Sequence, residues 1–135
     1  MKPPDVSALR KTLWRAYQAL GRTLQTMTRP ARLTPGSCYL MRRKCGHPTC
    51  RCARGQLHPA WVLTRSEAGR HKLYLVPAPQ RAPVRQQAGA WRQSQRARAQ
   101  FVKQAAALVA LADRIVQAQI VPWPPPAKPS RTARA

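Results

Sequence analysis

The chain opens on a helical pattern. Leu9, Leu13, Ala16, Tyr17, Leu20, Leu24 and Met27 recur three or four residues apart. At about 100° per residue they share an arc of roughly 100°, with Lys11, Arg15 and Arg22 on the far side. The pattern predicts an amphipathic helix over residues 5–28, capped by Asp5 or Ser7. Arg29-Pro30 stops it, because proline pushes the residue before it out of the α region.

After the Pro35-Gly36 turn the period falls to two. Ser37, Tyr39 and Met41 alternate with Cys38 and Leu40. Two further strand-like runs follow, Ala60 to Arg65 and His71 to Val76, joined by a Ser66-Glu67-Ala68-Gly69 connection. Together they predict a three-stranded antiparallel meander over residues 36–77. Pro77 to Pro83 reads as a linker. The helical period then returns in Val84, Ala88, Trp91, Phe101, Val102, Ala105, Leu108, Ala112, Ile115 and Val116. This predicts a long helix over 84–120, its seam interrupted at Gln95 and Arg98. Residues 121–135 hold five prolines and no acid, and are expected to be a disordered tail. The expected fold class is therefore α+β: an N-terminal helix, a small meander, a long helix and a Pro-rich tail.

Charge changes this picture most. Lys and Arg number 25 against three acids, Asp5, Glu67 and Asp113, for a net charge of +22 in 135 residues. Such a chain repels itself unless a polyanion neutralises it, and a bound nucleic acid does so while releasing condensed counterions. Arg outnumbers Lys by 19 to 6, which favours fork-like contacts to phosphate. Arg42, Arg43, Lys44, Arg51 and Arg54 crowd one stretch. Arg85, Arg92, Arg96 and Lys103 project in nearly one direction from the long helix. These nine are the candidate nucleic-acid contacts, to DNA or RNA. No apolar run is long enough to span a membrane, and the N-terminus lacks the apolar region of a secretory signal. The expectation is a cytoplasmic protein associated with nucleoid or ribonucleoprotein, with no membrane and no small-molecule substrate.

The remaining chemistry lies in the loop of the meander. Cys45, Cys50, Cys52 and His58 fall within fourteen residues at the spacing C-x4-C-x-C-x5-H. Thiolate and imidazole are the ligands that tetrahedral zinc prefers, so zinc is the expected cofactor. Four protein ligands would fill the shell and make the site structural. Cys38 and His47 are spare candidates, and His47 can stand in for His58. Three short strands form too small a core to stand unaided, which suits a metal staple.

These same residues carry a resemblance. Gly36-Ser37, Arg43-Lys44-Cys45-Gly46, Pro48, Cys50-Arg51-Cys52, Gly55 and His58 resemble the knuckle of a family of small prokaryotic proteins defined as a domain of unknown function. Trp61 to Thr64 and Leu73 to Val76 are similar to that family's two following strands, and the likeness covers about residues 36–118. It implies Cys45, Cys50, Cys52 and His58 as metal ligands and argues against Cys38. It also implies an association with mobile elements and transposases. Pro59-Ala60 departs from the family's Gly-Pro after the histidine, and the family's acidic residues are missing from the long helix.

Two functions fit. One is nucleic-acid binding through Arg-rich surfaces around a structural zinc knuckle. The other is an assembly module of a ribonucleoprotein or transposition complex, with a protein partner or a homodimer formed through the helices. Catalysis is not expected, because phosphoryl transfer needs clustered carboxylates and three scattered acids do not supply them.

Overall fold

A computed structural model describes residues 2–128. The elements run α1 (Val6–Met27), β1 (Ser37–Arg43), a 3-10 turn (Arg51–Arg54), β2 (His58–Glu67), β3 (Arg70–Leu75), a second 3-10 turn (Ala78–Gln80) and α2 (Arg81–Gln119). The fold is the α+β arrangement expected from the sequence. The chain divides into two compact units: residues 22–101, and the stretches before and after them.

Asp5 caps α1. Its carboxylate accepts the backbone N–H of Ser7 at 2.9 Å and of Ala8 at 3.3 Å, two donors that lack an intrahelical partner. The buried stripe of α1 differs from the expected one. Tyr17 and Leu24 are exposed, whereas Thr23 is buried with Leu9. At about 100° per residue, Tyr17 and Leu24 lie on one flank of Leu9 and Thr23 on the other, so the stripe is rotated toward the threonine.

In the central unit, α2 starts three residues earlier than its apolar pattern suggests, with Pro83 in the first turn. Proline is accommodated there because the first four N–H groups of a helix have no intrahelical partner. The expected gap in the α2 seam is filled by small residues. Ser94 donates its hydroxyl to the Met27 carbonyl at 3.2 Å, and Ala97 is buried.

The sheet has the order β1-β2-β3, antiparallel throughout. One face carries Cys38, Trp61 and Leu63, which pack with Val76 against Val84 and Ala88 of α2. Arg81 and Arg85 place their guanidinium groups over the Trp61 ring, 5.4 and 4.5 Å from its centroid. Sheet and helix are thus joined by apolar burial and cation–π contact together. The β2–β3 connection is tighter than the four residues expected. Ala68 and Gly69 alone turn the chain, with φ of 50° and 76°, the backbone of a type I′ hairpin. Alanine seldom takes a positive φ, which hid the turn in the sequence.

Glu67 ties that hairpin. Its carboxylate accepts from the Tyr74 hydroxyl at 2.8 Å, from Arg65, and from Lys72 at 3.0 Å. The Tyr74 hydrogen bond, followed by those from Arg65 and Lys72, lowers the Glu67 pKa to about 2. Arg65 also lies over the Tyr74 ring, 5.1 Å from its centroid, so Tyr74 is committed within the sheet.

The other unit pairs residues 6–21 of α1 with residues 102–119 of α2. Arg10 reaches Gln119 at 3.5 Å, and Leu13 and Tyr17 face Leu108 and Ala112 across a shallow groove, so the segments run antiparallel. Leu9 and Ile115 are its buried residues, while Trp14, Val102, Val109 and Val116 stay exposed. Among the described residues no helix is long and apolar enough to cross a membrane. Residues 121–128 form neither helix nor strand, and Trp123 is 89% exposed, so it does not dock on the body. The remainder of the expected disordered tail, 129–135, lies outside the described residues.

Because the folded pKa of Glu67 is depressed, its contribution to the hairpin is complete above about 4.5 and is lost as pH falls toward about 2. A carbon-detected titration of its carboxyl group is expected to give a midpoint near 2. Tyr74→Phe should move that midpoint upward. A wild-type midpoint at the ordinary glutamate value would contradict the described network.

Candidate metal centre

The four residues singled out by spacing come together. One ligand atom from each of Cys45, Cys50, Cys52 and His58 forms a group in which all lie within 4.8 Å of one another. Cys45 and Cys52 sulfurs are 3.3 Å apart, and the Cys50 sulfur is 3.0 Å from His58 Nε2. Sulfurs bound at about 2.3 Å in a tetrahedron lie about 3.8 Å apart, which falls between the shortest of these separations and the 4.8 Å limit on all of them. The cluster can hold a metal ion.

Local structure explains the convergence. The loop is closed at its base by the β1–β2 ladder, where Arg43 pairs with His58. Cys45 therefore leaves β1 just as His58 enters β2. Between them Cys50 caps the 3-10 turn and Cys52 lies within it. Gly55 ends the turn at φ 107°, in the left-handed region, and its N–H returns to the Cys52 carbonyl at 3.2 Å. Glycine reaches that conformation without the penalty other residues meet. The turn thus folds the middle of the loop back over its base.

Cys52 is buried, and Cys45 is exposed. The Cys45 backbone N–H donates to the Cys52 sulfur at 3.3 Å. That bond, with side-chain contacts from Cys45, Cys50 and His58, lowers the Cys52 pKa to about 7 against the opposing effect of burial. The thiolate needed for metal binding is therefore accessible near neutral pH. A hydrogen bond from the His47 backbone pulls the Cys45 thiol down, but sharing a hydrogen bond with Cys52 helps to make its net shift upward.

The spare candidates stay apart from the cluster. Cys38 pairs with Leu63 in the sheet and packs toward α2, where burial raises its pKa despite the nearby Arg85. His47 does not belong to the ligand group; its carbonyl accepts the Cys50 N–H at 3.2 Å.

The nine candidate cations divide into sets. Arg42, Arg43 and Lys44 leave the end of β1, and Arg51 and Arg54 lie on the 3-10 turn, all exposed around the cluster. Arg85 is engaged with Trp61. Arg92 and Arg96 line a groove beside the sheet. Lys103 belongs to the other unit. His71, which the sequence marked only as the start of a strand, lines the same groove as Arg92. Its place on β3, beside Ser66 in register, depends on the unforeseen two-residue turn.

A family model described as a domain of unknown function (DUF6788) matches residues 10–86, more than half of the chain, and the protein belongs to that family. No curated protein and no solved structure matches it.

Cobalt(II) titration should give one tetrahedral thiolate-bound ion per chain. Cys45→Ser and Cys52→Ser are each expected to weaken binding by more than about 100-fold, since even outer-shell changes cost about 10- to 100-fold. Cys38→Ser should bind as wild type does. Equal affinity in all four proteins would rule out the cluster as the ligand set.

Proposed function

We propose that this protein binds nucleic acid and that Cys45, Cys50, Cys52 and His58 hold a structural zinc ion. One observation carries the nucleic-acid reading. Sixteen of the 25 Lys and Arg residues, against Glu67 alone among the acids, lie in residues 22–101. Glu67 is itself taken up by Arg65 and Lys72, the only ion pairs among the described residues. The other cations of this unit therefore lack an internal counterion. A polyanion supplies one, and release of its condensed counterions drives the association.

Zinc follows from the donor set. Three thiolates and an imidazole match closed tetrahedral zinc sites, whereas iron–sulfur clusters usually take four cysteine thiolates. With four protein ligands no position stays open for substrate, so the ion's role is to hold the loop. The cations of β1 and of the 3-10 turn are then fixed relative to one another, and they make the contacts.

An assembly role is the second reading. It is favoured by Val102, Val109 and Val116, exposed at heptad spacing on α2. Sedimentation after nuclease treatment separates the two, because a dimer that forms without nucleic acid supports assembly.

The nucleic-acid reading predicts a steep, linear fall of log affinity with log salt. The slope should be near −0.9 per phosphate neutralised on duplex and about −0.7 on single strands. Fluorescence anisotropy with labelled oligonucleotides measures it. A flat salt response would end the electrostatic account.

A further inference from the structure

The Cys/His cluster occupies one end of the sheet. At the other end, where Ser37 pairs with Thr64, a groove of about 540 Å³ opens between the strands and α2. That volume lies within the range of ligand pockets, roughly 300–1,000 Å³. Its helix wall carries Arg92 and Arg96, one turn apart, with the half-buried Trp91 beside them. Its sheet wall carries Ser37, Ser66 and His71. No carboxylate lines it. The Arg65 side chain also borders the groove, but its guanidinium is bonded to Glu67.

Arg92 and Arg96 have no ion pair among the described residues. Two unpaired guanidinium groups in a concave site concentrate positive potential where a ligand would sit. Their planar forks match phosphate oxygens, and the facing hydroxyls can donate to the same group. The Trp91 ring offers an apolar surface on which a sugar or base can rest. Within the sheet wall, the backbone before β1 lies close against β2. Gly36 has φ 127°, and a Cβ there would stand 2.6 Å from the Thr64 carbonyl oxygen.

We infer that this groove is a phosphodiester-binding site for a nucleic-acid strand, separate from the cations around the Cys/His cluster. The inference rests on the nucleic-acid reading above and adds where a second contact lies. β1 joins the two places, from Ser37 in the groove to Arg43 beside the cluster. Seven residues of antiparallel strand span about 20 Å. At the stacked spacing of about 3.4 Å per nucleotide, about six nucleotides cover that distance, and an extended single strand covers it with fewer.

The test compares Arg92→Ala/Arg96→Ala with Arg29→Ala/Arg98→Ala. The second pair is exposed, lies outside the groove and removes the same charge. Both are titrated with single-stranded oligodeoxythymidylates of increasing length over a salt series, with circular dichroism and metal content confirming the fold. The groove variant should lose about tenfold or more in affinity, and its log–log salt slope should shrink by about two contacts' worth. The control should lose clearly less. Wild-type affinity should rise with length until the oligonucleotide spans both sites, at no more than about six nucleotides, and the groove variant should lose that step.

If wild type binds but the two variants lose equally, the groove assignment is wrong and the general reading stands. If wild type binds no oligonucleotide, both fall. Inorganic phosphate that competes as strongly per phosphate as the oligonucleotide does would overturn the assignment to a strand, and leave a free-anion site.

Discussion

The closure of one loop governs the rest of the knuckle. Arg43 must pair with His58 for Cys45 to leave the sheet beside the histidine, and the 3-10 turn must curl for Cys50 and Cys52 to meet them. A one-residue slip of this register would turn every side chain of β1 to the opposite face. It would carry Cys38 out of its packing with Leu63 and Val84 and separate Cys45 from His58. The core of the sheet and the ligand cluster thus depend on the same pairing.

On the proposed function, the role of a metal follows from how little this unit buries. Val62 and Cys52 are its only large side chains withdrawn almost completely from solvent. One lies at the centre of the sheet and the other in the ligand cluster. A sheet of three strands with so small an apolar interior gains little from burial, and bonds to a metal make up the difference in small domains. On our proposal, zinc serves as a second core beneath the exposed cations. The charge around it disfavours the compact state until a polyanion binds. Folding, metal and ligand are then linked through one loop.

Much of this was legible in the sequence, because the signals were local. Asp5 before an apolar period of 3.6 announced α1, and C-x4-C-x-C-x5-H brought all four ligands into view. What escaped notice depended on residues acting at a distance. Ala68 gave no sign that it would accept a positive φ, so the hairpin register was loose and the place of His71 could not be inferred. The α2 seam read as broken at Gln95 and Arg98, because the role of Ser94 depends on the end of α1 lying close enough to receive its hydroxyl. Arg85 read as a free cation, and only packing shows it over Trp61. The groove beside Arg92 is built from three strand segments and a helix, which no single stretch of sequence displays.

On the proposed function, a metal in the Cys45–His58 cluster organises the basic surface. Amide hydrogen exchange of the purified full chain, before and after removal of the ion by a chelator, tests it most directly when followed by an oligonucleotide titration of the same samples. Residues 43–58 are expected to lose protection first, with β1 and β2 following from the Arg43–His58 end and affinity falling with them. Unchanged exchange in this region after complete loss of the ion would contradict the proposal.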